Sequence, residues 1–449
     1  MPENIIDNEM MASAPFEGDP ARALARRGER LLAAGDLADQ VALLAPLEAY
    51  YVVRGIGLDQ ALPILLQLSE EQLEGCIDLD CWNRHDFSVD TLAEWLAAYA
   101  HAGAEALATA FLSLDHVVQL LFLAQTVTVY DPDTDQVPPE DRHNVTLRAM
   151  TPDGFYLLEL KSDIPLKLHP FSLLDALYQY DPTVTHQLLS EIRVDLPTQI
   201  EEEALRFRNG RMEDIGFVPP DEAVLLFSRP SSGRPLPRPR KPIETARTGM
   251  PAVYAASLSG TSLLRQALAR LADPEQLSRL EQEIVWVING AIIAYGEKTQ
   301  DIQQIINIAE RVRDTISLGL ESLLGQQEPD DPPKGAAAAA KAADLLDILP
   351  VIDLFRHGFA ATLELQREVR QALREPRFRA WYDLADTEQS DEPADRLERA
   401  FVAALLGRHP LRGGFDPAGA EKVKAFGCRA EVDVARLRLE RLVARIMGA

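Results

Sequence analysis

Apolar residues recur at helical spacing along most of this chain. Leu62, Leu65, Leu66 and Leu68 run up to Ser69-Glu70-Glu71-Gln72, and Leu73, Ile77 and Leu79 follow on one face. Ser69 with Gln72 three residues on is a capping box, in which each side chain takes the other residue's backbone amide. The same order returns at Leu107, Phe111, Leu112 and Leu114, then Asp115, then Val118, Leu121 and Phe122. It returns again at Leu173, Leu174, Leu177 and Tyr180, then Asp181-Pro182, then Val184, Leu188 and Leu189. Asp181 as N-cap with Pro182 at the first helical position is a strong start signal. Offset by 45 residues, Ala61-Leu62, Leu66, Leu73 and Ile77 fall on Ala106-Leu107, Phe111, Val118 and Phe122. Helix, short cap, helix, repeated in this way, predicts stacked helical hairpins.

Between the second and third units the period changes. Val127–Tyr130, Asn144–Met150 and Phe155–Leu160 read as strands, the last two joined by the turn Thr151-Pro152-Asp153-Gly154. The β content is expected to be confined to about residues 127–160. Helices resume at Leu196–Asn209, with Gly210 as the stop, and at Asp221–Phe227. A Pro/Arg-rich strap follows, Ser228 to Pro242, whose composition suits an extended tether and whose Pro-x-Pro steps also suit polyproline recognition. Beyond it, Asp273-Pro274-Glu275-Gln276 opens a long helix as a second capping box, with Leu277, Leu280, Ile284, Val287, Ile288 and Ile292 inward. Ile302, Ile305, Ile306, Ala309, Val312 and Ile316 continue at helical spacing. A surface loop over 326–335 and helices over 336–348, 351–373 and 430–447 complete the chain.

These elements predict a mainly all-α, solenoid-like stack of helical hairpins with a small β-hairpin insertion, followed by a second helical bundle. The expected organisation is a disordered N-terminus (1–20), a helical-repeat domain (21–227), a linker (228–250) and a C-terminal helical domain (251–449). A chain of 449 residues exceeds what one growing core sustains.

Charge sharpens that division. Residues 1–227 hold 14 Lys/Arg against 39 Asp/Glu, residues 228–250 hold 6 against 1, and residues 251–449 hold 25 against 30. The first part thus carries a charge equal to the whole net charge of −25. So acidic a protein is a poor nucleic-acid ligand, because that affinity rests on Lys/Arg neutralising phosphates. The acidic part instead predicts internal docking or a basic protein partner, with Arg367, Arg370, Arg374, Arg438, Arg441 and Arg445 as the internal candidates. No apolar run reaches the roughly 20 residues of a membrane span, and the N-terminus lacks a signal-peptide pattern, so a cytoplasmic location is expected.

Four segments carry a resemblance. Leu79-Asp80-Cys81-Trp82, Glu203-Ala204-Leu205-Arg206-Phe207-Arg208-Asn209-Gly210-Arg211, Glu213-Asp214-Ile215-Gly216-Phe217 and Leu354-Phe355-Arg356-His357-Gly358-Phe359 together resemble a family of bacterial proteins of unknown function. That resemblance implies no activity. More loosely, the leucine-rich repeats with acidic caps over residues 35–125 are similar to the cytoplasmic N-terminal domain of MgtE-type magnesium transporters. With no transmembrane part, that likeness implies cation sensing rather than transport.

No phosphate-cradling glycine motif, zinc helix or nucleophile elbow occurs. Three cysteines, Cys76, Cys81 and Cys428, are too few for a disulfide framework, and Cys76 and Cys81 lie five apart, outside redox or zinc spacing. Asp131, Asp133 and Asp135 mimic the start of a calcium loop, but Gln136 stands where glycine belongs and Arg142 where the closing glutamate would be. Asp78, Asp80, His85 and Asp86 around Trp82 read either as divalent-ion ligands or as a helix end followed by a cap. Asn289 and His357 fall inside apolar faces, where each needs one structural hydrogen bond. No catalytic residue, cofactor or stoichiometric transition metal is expected. The chain reads as a scaffold or regulatory interaction module, and the alternatives are a metal-dependent hydrolase or a divalent-cation-sensing regulator.

Overall fold

The computed structural model describes residues 20–137, 147–161, 165–229, 250–258, 260–296, 301–329, 331–383, 393–413 and 423–448. The expectations for the N-terminal residues 1–19, for most of the strap (230–249), for Arg142 and for Asn144 lie outside these residues.

Several helices begin where a side chain accepts one of their first free amides. The acidic part opens with α1 (Pro20–Leu32), α2 (Leu37–Ala42), α3 (Pro46–Ile56), α4 (Leu62–Leu65) and α5 (Glu70–Asp80). The capping box forms in full: Ser69 Oγ accepts from Gln72 N at 3.2 Å while Gln72 Oε1 accepts from Ser69 N at 2.9 Å. Next come β1 (Trp82–Asn83), β2 (Asp86–Phe87), α6 (Val89–Ala100), α7 (Ala104–Leu112) and α8 (His116–Thr126), the last capped by Asp115. A three-stranded sheet follows, β3 (Val127–Tyr130), β4 (Arg148–Met150) and β5 (Leu157–Leu160), in the antiparallel order β3-β5-β4. Then α9 (Pro170–Tyr180), α10 (Pro182–Val194), α11 (Pro197–Asp214), α12 (Pro220–Val224) and a 3-10 turn, Leu225–Phe227, lead to the strap. Beyond it lie α13 (Ala252–Ser257), α14 (Leu263–Leu268), α15 (Pro274–Tyr295), α16 (Ile302–Gln327), α17 (Gly335–Ile348), α18 (Val351–Ala372), α19 (Pro376–Asp383), α20 (Pro393–Leu406) and α21 (Arg429–Gly448). The fold is mainly all-α.

Four expectations need correction. The β structure is not confined to 127–160, because Trp82 pairs with Phe87 and Asn83 with Asp86 in a tight hairpin, and an isolated bridge joins Arg412 to Lys424. Asp86 therefore belongs to a strand, and Ser88 alone caps α6. Gly210 does not stop its helix. α11 runs on to Asp214, and the left-handed glycine is Gly216, with φ 88°. A helical glycine with open space around it weakens a helix without ending it. At the start of α15, Asp273 accepts from Glu275 N rather than completing a capping box.

Two apolar clusters organise the molecule. The larger draws on both sides of the strap, from Leu24 and Tyr51 to Tyr254, Ile288 and Phe355. Polar links cross with it: Tyr51 and Tyr254 hydroxyls lie 3.1 Å apart, and Glu48 Oε2 accepts from Ala252 N at 2.9 Å. The smaller cluster joins Leu318, Leu365, Val369, Phe378, Phe401, Phe426 and Leu439. Helices α16 and α18 pass through both, backbone against backbone. A Cβ on Gly358 would lie 1.9 Å from Thr315 O, and one on Gly319 would lie 1.9 Å from Leu354 O. No single helix among the described residues is long and apolar enough to cross a membrane. The pair α7 and α8 passes by length and composition only when taken together across a 115° bend, and its Phe111, Leu121 and Phe122 are core residues.

Candidate functional site

Asp78, Asp80 and Asp135, three of the carboxylates singled out by sequence, are held by arginines, tyrosine and tryptophan. Asp80, fully buried, accepts from Tyr50 Oη at 2.9 Å and from Trp95 Nε1 at 2.6 Å, with Arg54 Nη1 3.6 Å away. Asp78, one turn-half earlier on α5, turns to another partner. Arg211 reaches it from α11 with Nε at 2.6 Å and Nη2 at 3.0 Å, while Nη1 meets Asp115 at 2.6 Å. Burial pushes the Asp78 carboxyl up, against the pull of Arg211. Arg208 lies over the Trp82 ring at 5.5 Å and donates to Asp78 O at 3.2 Å. His85 and Asp86 stay exposed in the β1–β2 hairpin, where Arg84 holds a left-handed φ of 58°. The structure thus brings Asp78 to Arg211 and does not gather Asp78, Asp80, His85 and Asp86 around one point.

The acidic turn after β3 is organised the same way. Asp131 Oδ1 accepts from Asp133 N at 2.9 Å, and Asp135 Oδ2 accepts from Asp131 N at 2.8 Å. Arg193 of α10 donates to both Asp135 oxygens, at 2.9 and 3.0 Å, and to Thr134 Oγ1 at 2.9 Å. That guanidinium holds the Asp135 carboxyl at about 2. Among the described residues no three His, Cys, Asp or Glu side chains are grouped to hold a metal ion. Cys76 and Cys81 are buried and Cys428 half-buried; burial pushes all three thiols up, away from the reactive thiolate.

Asn289 bridges the two sides of the strap. It accepts from Tyr254 Oη at 2.7 Å and donates to Ile215 O at 3.4 Å. His357 is half-buried on α18, and burial lowers its imidazole against the charge of Asp353. The docking arginines of the last helix have local partners. Arg438 meets Glu398 at 2.9 Å and Arg445 meets Asp395 at 2.7 Å. Arg367, Arg370, Arg374 and Arg441 are exposed.

An open surface lies on the three-stranded sheet. Val127, Val129 and Leu158 face the core, so the alternate positions face outward. The register sets Tyr130, Leu157 and Met150 side by side across the three strands, next to a row of Thr128, Glu159 and Arg148. Met150 is 50% exposed and Phe155, in the turn, 62%. Leu160 N donates to Leu147 O and Thr151 N to Tyr156 O, so by antiparallel alternation the peptide groups of Arg148 and Met150 point away from β5. Asp153 pins the turn to the helices: it accepts from Thr151 Oγ1 at 2.6 Å and Tyr178 Oη at 3.1 Å, with His186 Nδ1 at 3.5 Å. The turn marks this hairpin in the sequence, but the outward row is not marked there, because facing depends on which side α8 and α10 cover.

Comparison with known proteins finds a family model, described as a family of unknown function (DUF6178), that matches residues 22–446. No curated protein and no solved structure matches the chain, so the transporter-domain likeness of residues 35–125 gains no support there.

Proposed function

Because the chain belongs to this DUF6178 family of unknown function, its own geometry has to carry the reading, and we propose a cytoplasmic scaffold or regulatory interaction module that works through the outward sheet face. The observation behind it is the row Tyr130, Leu157 and Met150 on the outward face of the sheet, with Met150 half exposed on β4. An outward apolar row on a sheet can receive an extended segment, and alternate side chains supply specificity. The occupant we propose is an extended, apolar segment of a partner protein with basic flanks, suited to the acidic field of residues 1–227. The alternatives, a metal-dependent hydrolase or a cation-sensing regulator, find less support, since Asp78, Asp80 and Asp135 already have protein partners.

Photo-crosslinking tests this reading. A photoreactive residue at position 150 should capture one basic peptide in native extract, and the same residue at Ile348, 73% exposed on α17, should not. Equal capture at both positions, or none at 150, refutes the docking surface.

A further inference from the structure

A helix on the surface of a globular protein usually turns one apolar stripe inward and its polar side to water. The last helix, α21, carries apolar residues on both sides. Val432, Ala435, Leu439 and Leu442 are buried in the smaller cluster. Flanking that face, Arg436 reaches Glu368 of α18 at 3.0 Å and Arg438 reaches Glu398 of α20 at 2.9 Å. The remaining side points away from the core, and it holds Val434, 68% exposed, and Leu437, 46% exposed.

The spacing on that side is specific. Ala430, Val434, Leu437, Arg441, Ala444 and Gly448 follow one another in alternating steps of four and three, and all are exposed. This is the a/d seam of a heptad, with Val434 and Arg441 at a and Leu437 and Ala444 at d. A β-branched residue at a with leucine at d is the combination that favours two parallel strands. Single exposed apolar residues need no explanation. An apolar line in heptad register, on a helix whose other face already fills a core, does.

We infer that α21 pairs in parallel with α21 of a second copy of this chain, about a two-fold axis running along the seam. The charges beside the seam select that partner. Asp433 and Glu440 fall at g, and Arg438 and Arg445 fall at e. In a parallel pair the g residue of one helix meets the following e residue of the other, so Asp433 faces Arg438 of the second copy and Glu440 faces Arg445 of the second copy. Both contacts are opposite in sign, and the two-fold axis repeats each of them. An antiparallel pair would set acidic g residues against each other and arginine against arginine. Arg438 and Arg445 each give an N–H to a carboxylate of α20, Glu398 and Asp395 respectively. A guanidinium has five such donors, so others remain for the second copy.

Arg441 is the charged residue within the seam. A polar residue at one a position weakens a coiled coil while fixing its register and strand number. The arginine stem covers apolar surface and its guanidinium reaches the rim, where Glu440 of the second copy supplies a carboxylate. At about 1.5 Å per residue the helix is about 30 Å long, short for a permanent dimer, so the pairing is reversible and depends on concentration.

Sedimentation velocity of the full chain between about 1 μM and about 200 μM tests the pairing, with a shift from monomer to dimer expected across that range. Leu437→Asp sets a charge in the seam and should weaken the dimer about tenfold or more. Glu440→Arg should weaken it as well, because it turns both contacts with Arg445 into repulsion; an antiparallel pair would be indifferent. Both residues are exposed, so the variants should melt as the wild type does. Under mild oxidation Leu437→Cys should link two copies, since position 437 faces itself across the two-fold axis. Leu196→Cys, 59% exposed at the start of α11, should not. A chain that stays monomeric throughout, a dimer unchanged by Leu437→Asp and Glu440→Arg, or a dimer that Leu437→Cys fails to link overturns the inference.

Discussion

At the scale of single residues the folded chain is defined by carboxylates that found arginines. Arg211→Met would leave Asp78 buried with its main cation gone, and removing one partner of a buried pair typically costs about 3–5 kcal/mol. Because burial already raises the Asp78 carboxyl, protonation favours the folded state, and more so without Arg211. The deficit of Arg211→Met should therefore shrink between about pH 7 and about pH 5, as urea unfolding would measure. An equal deficit at both pH values removes this account. Asp135 has the opposite sign. Its folded-state value of about 2 lies below the ordinary carboxylate range, so its contribution is present above about pH 4 and is lost as pH falls towards 2. Arg193→Gln should match the wild type in acid and fall below it only at higher pH, in unfolding curves collected along that series.

Among the elements, the crossing of α16 with α18 is the most tightly specified. Gly358→Ala sets a methyl 1.9 Å from Thr315 O, and backbone cannot step aside as a side chain can. Destabilisation at or above the upper end of the usual overpacking range, about 1–3 kcal/mol, is expected from denaturant midpoints. Gly210→Ala, in open space inside α11, should instead stabilise by about 0.5–1 kcal/mol. A similar sign for both would mean that helix propensity, not the crossing, governs position 358. The same pair shows what periodicity can read. Gly210 looks like a stop because glycine often ends helices, but Ala204 and Met212, buried on either side of it, carry α11 through to Asp214. The β1–β2 hairpin was not legible, since two-residue strands leave no alternation to detect; it is held by Trp82 against Phe87 and by Arg208.

For the whole molecule, the charge pattern and the packing make different forecasts. Docking by charge would weaken as the Debye length falls from about 10 Å at 0.1 M salt to about 3 Å at 1 M. The larger apolar cluster draws on both sides of the strap, and Tyr51, Tyr254 and Asn289 join them in a buried chain. Cleavage at a protease site inserted within residues 230–249 should leave the two fragments together at both salt concentrations in size-exclusion chromatography. Separation at 1 M salt would instead assign the association to charge.

Local instructions were written into the chain itself. Ser69 with Gln72, Asp115 and Asp181-Pro182 fix helix starts, because a cap needs only its own neighbours. The turn at Thr151–Gly154 fixes the β4–β5 hairpin for the same reason. What joins distant residues was decided by the tertiary structure alone. Nothing in the spacing of Asp78 and Arg211, or of Phe227 and His409, marks them as neighbours. Their meeting depends on how α5 packs on α11, and on Phe227 reaching both α18 and His409. A charged side chain reads the same in sequence whether it faces water or lies buried without a partner. Only the packing around it tells the two apart.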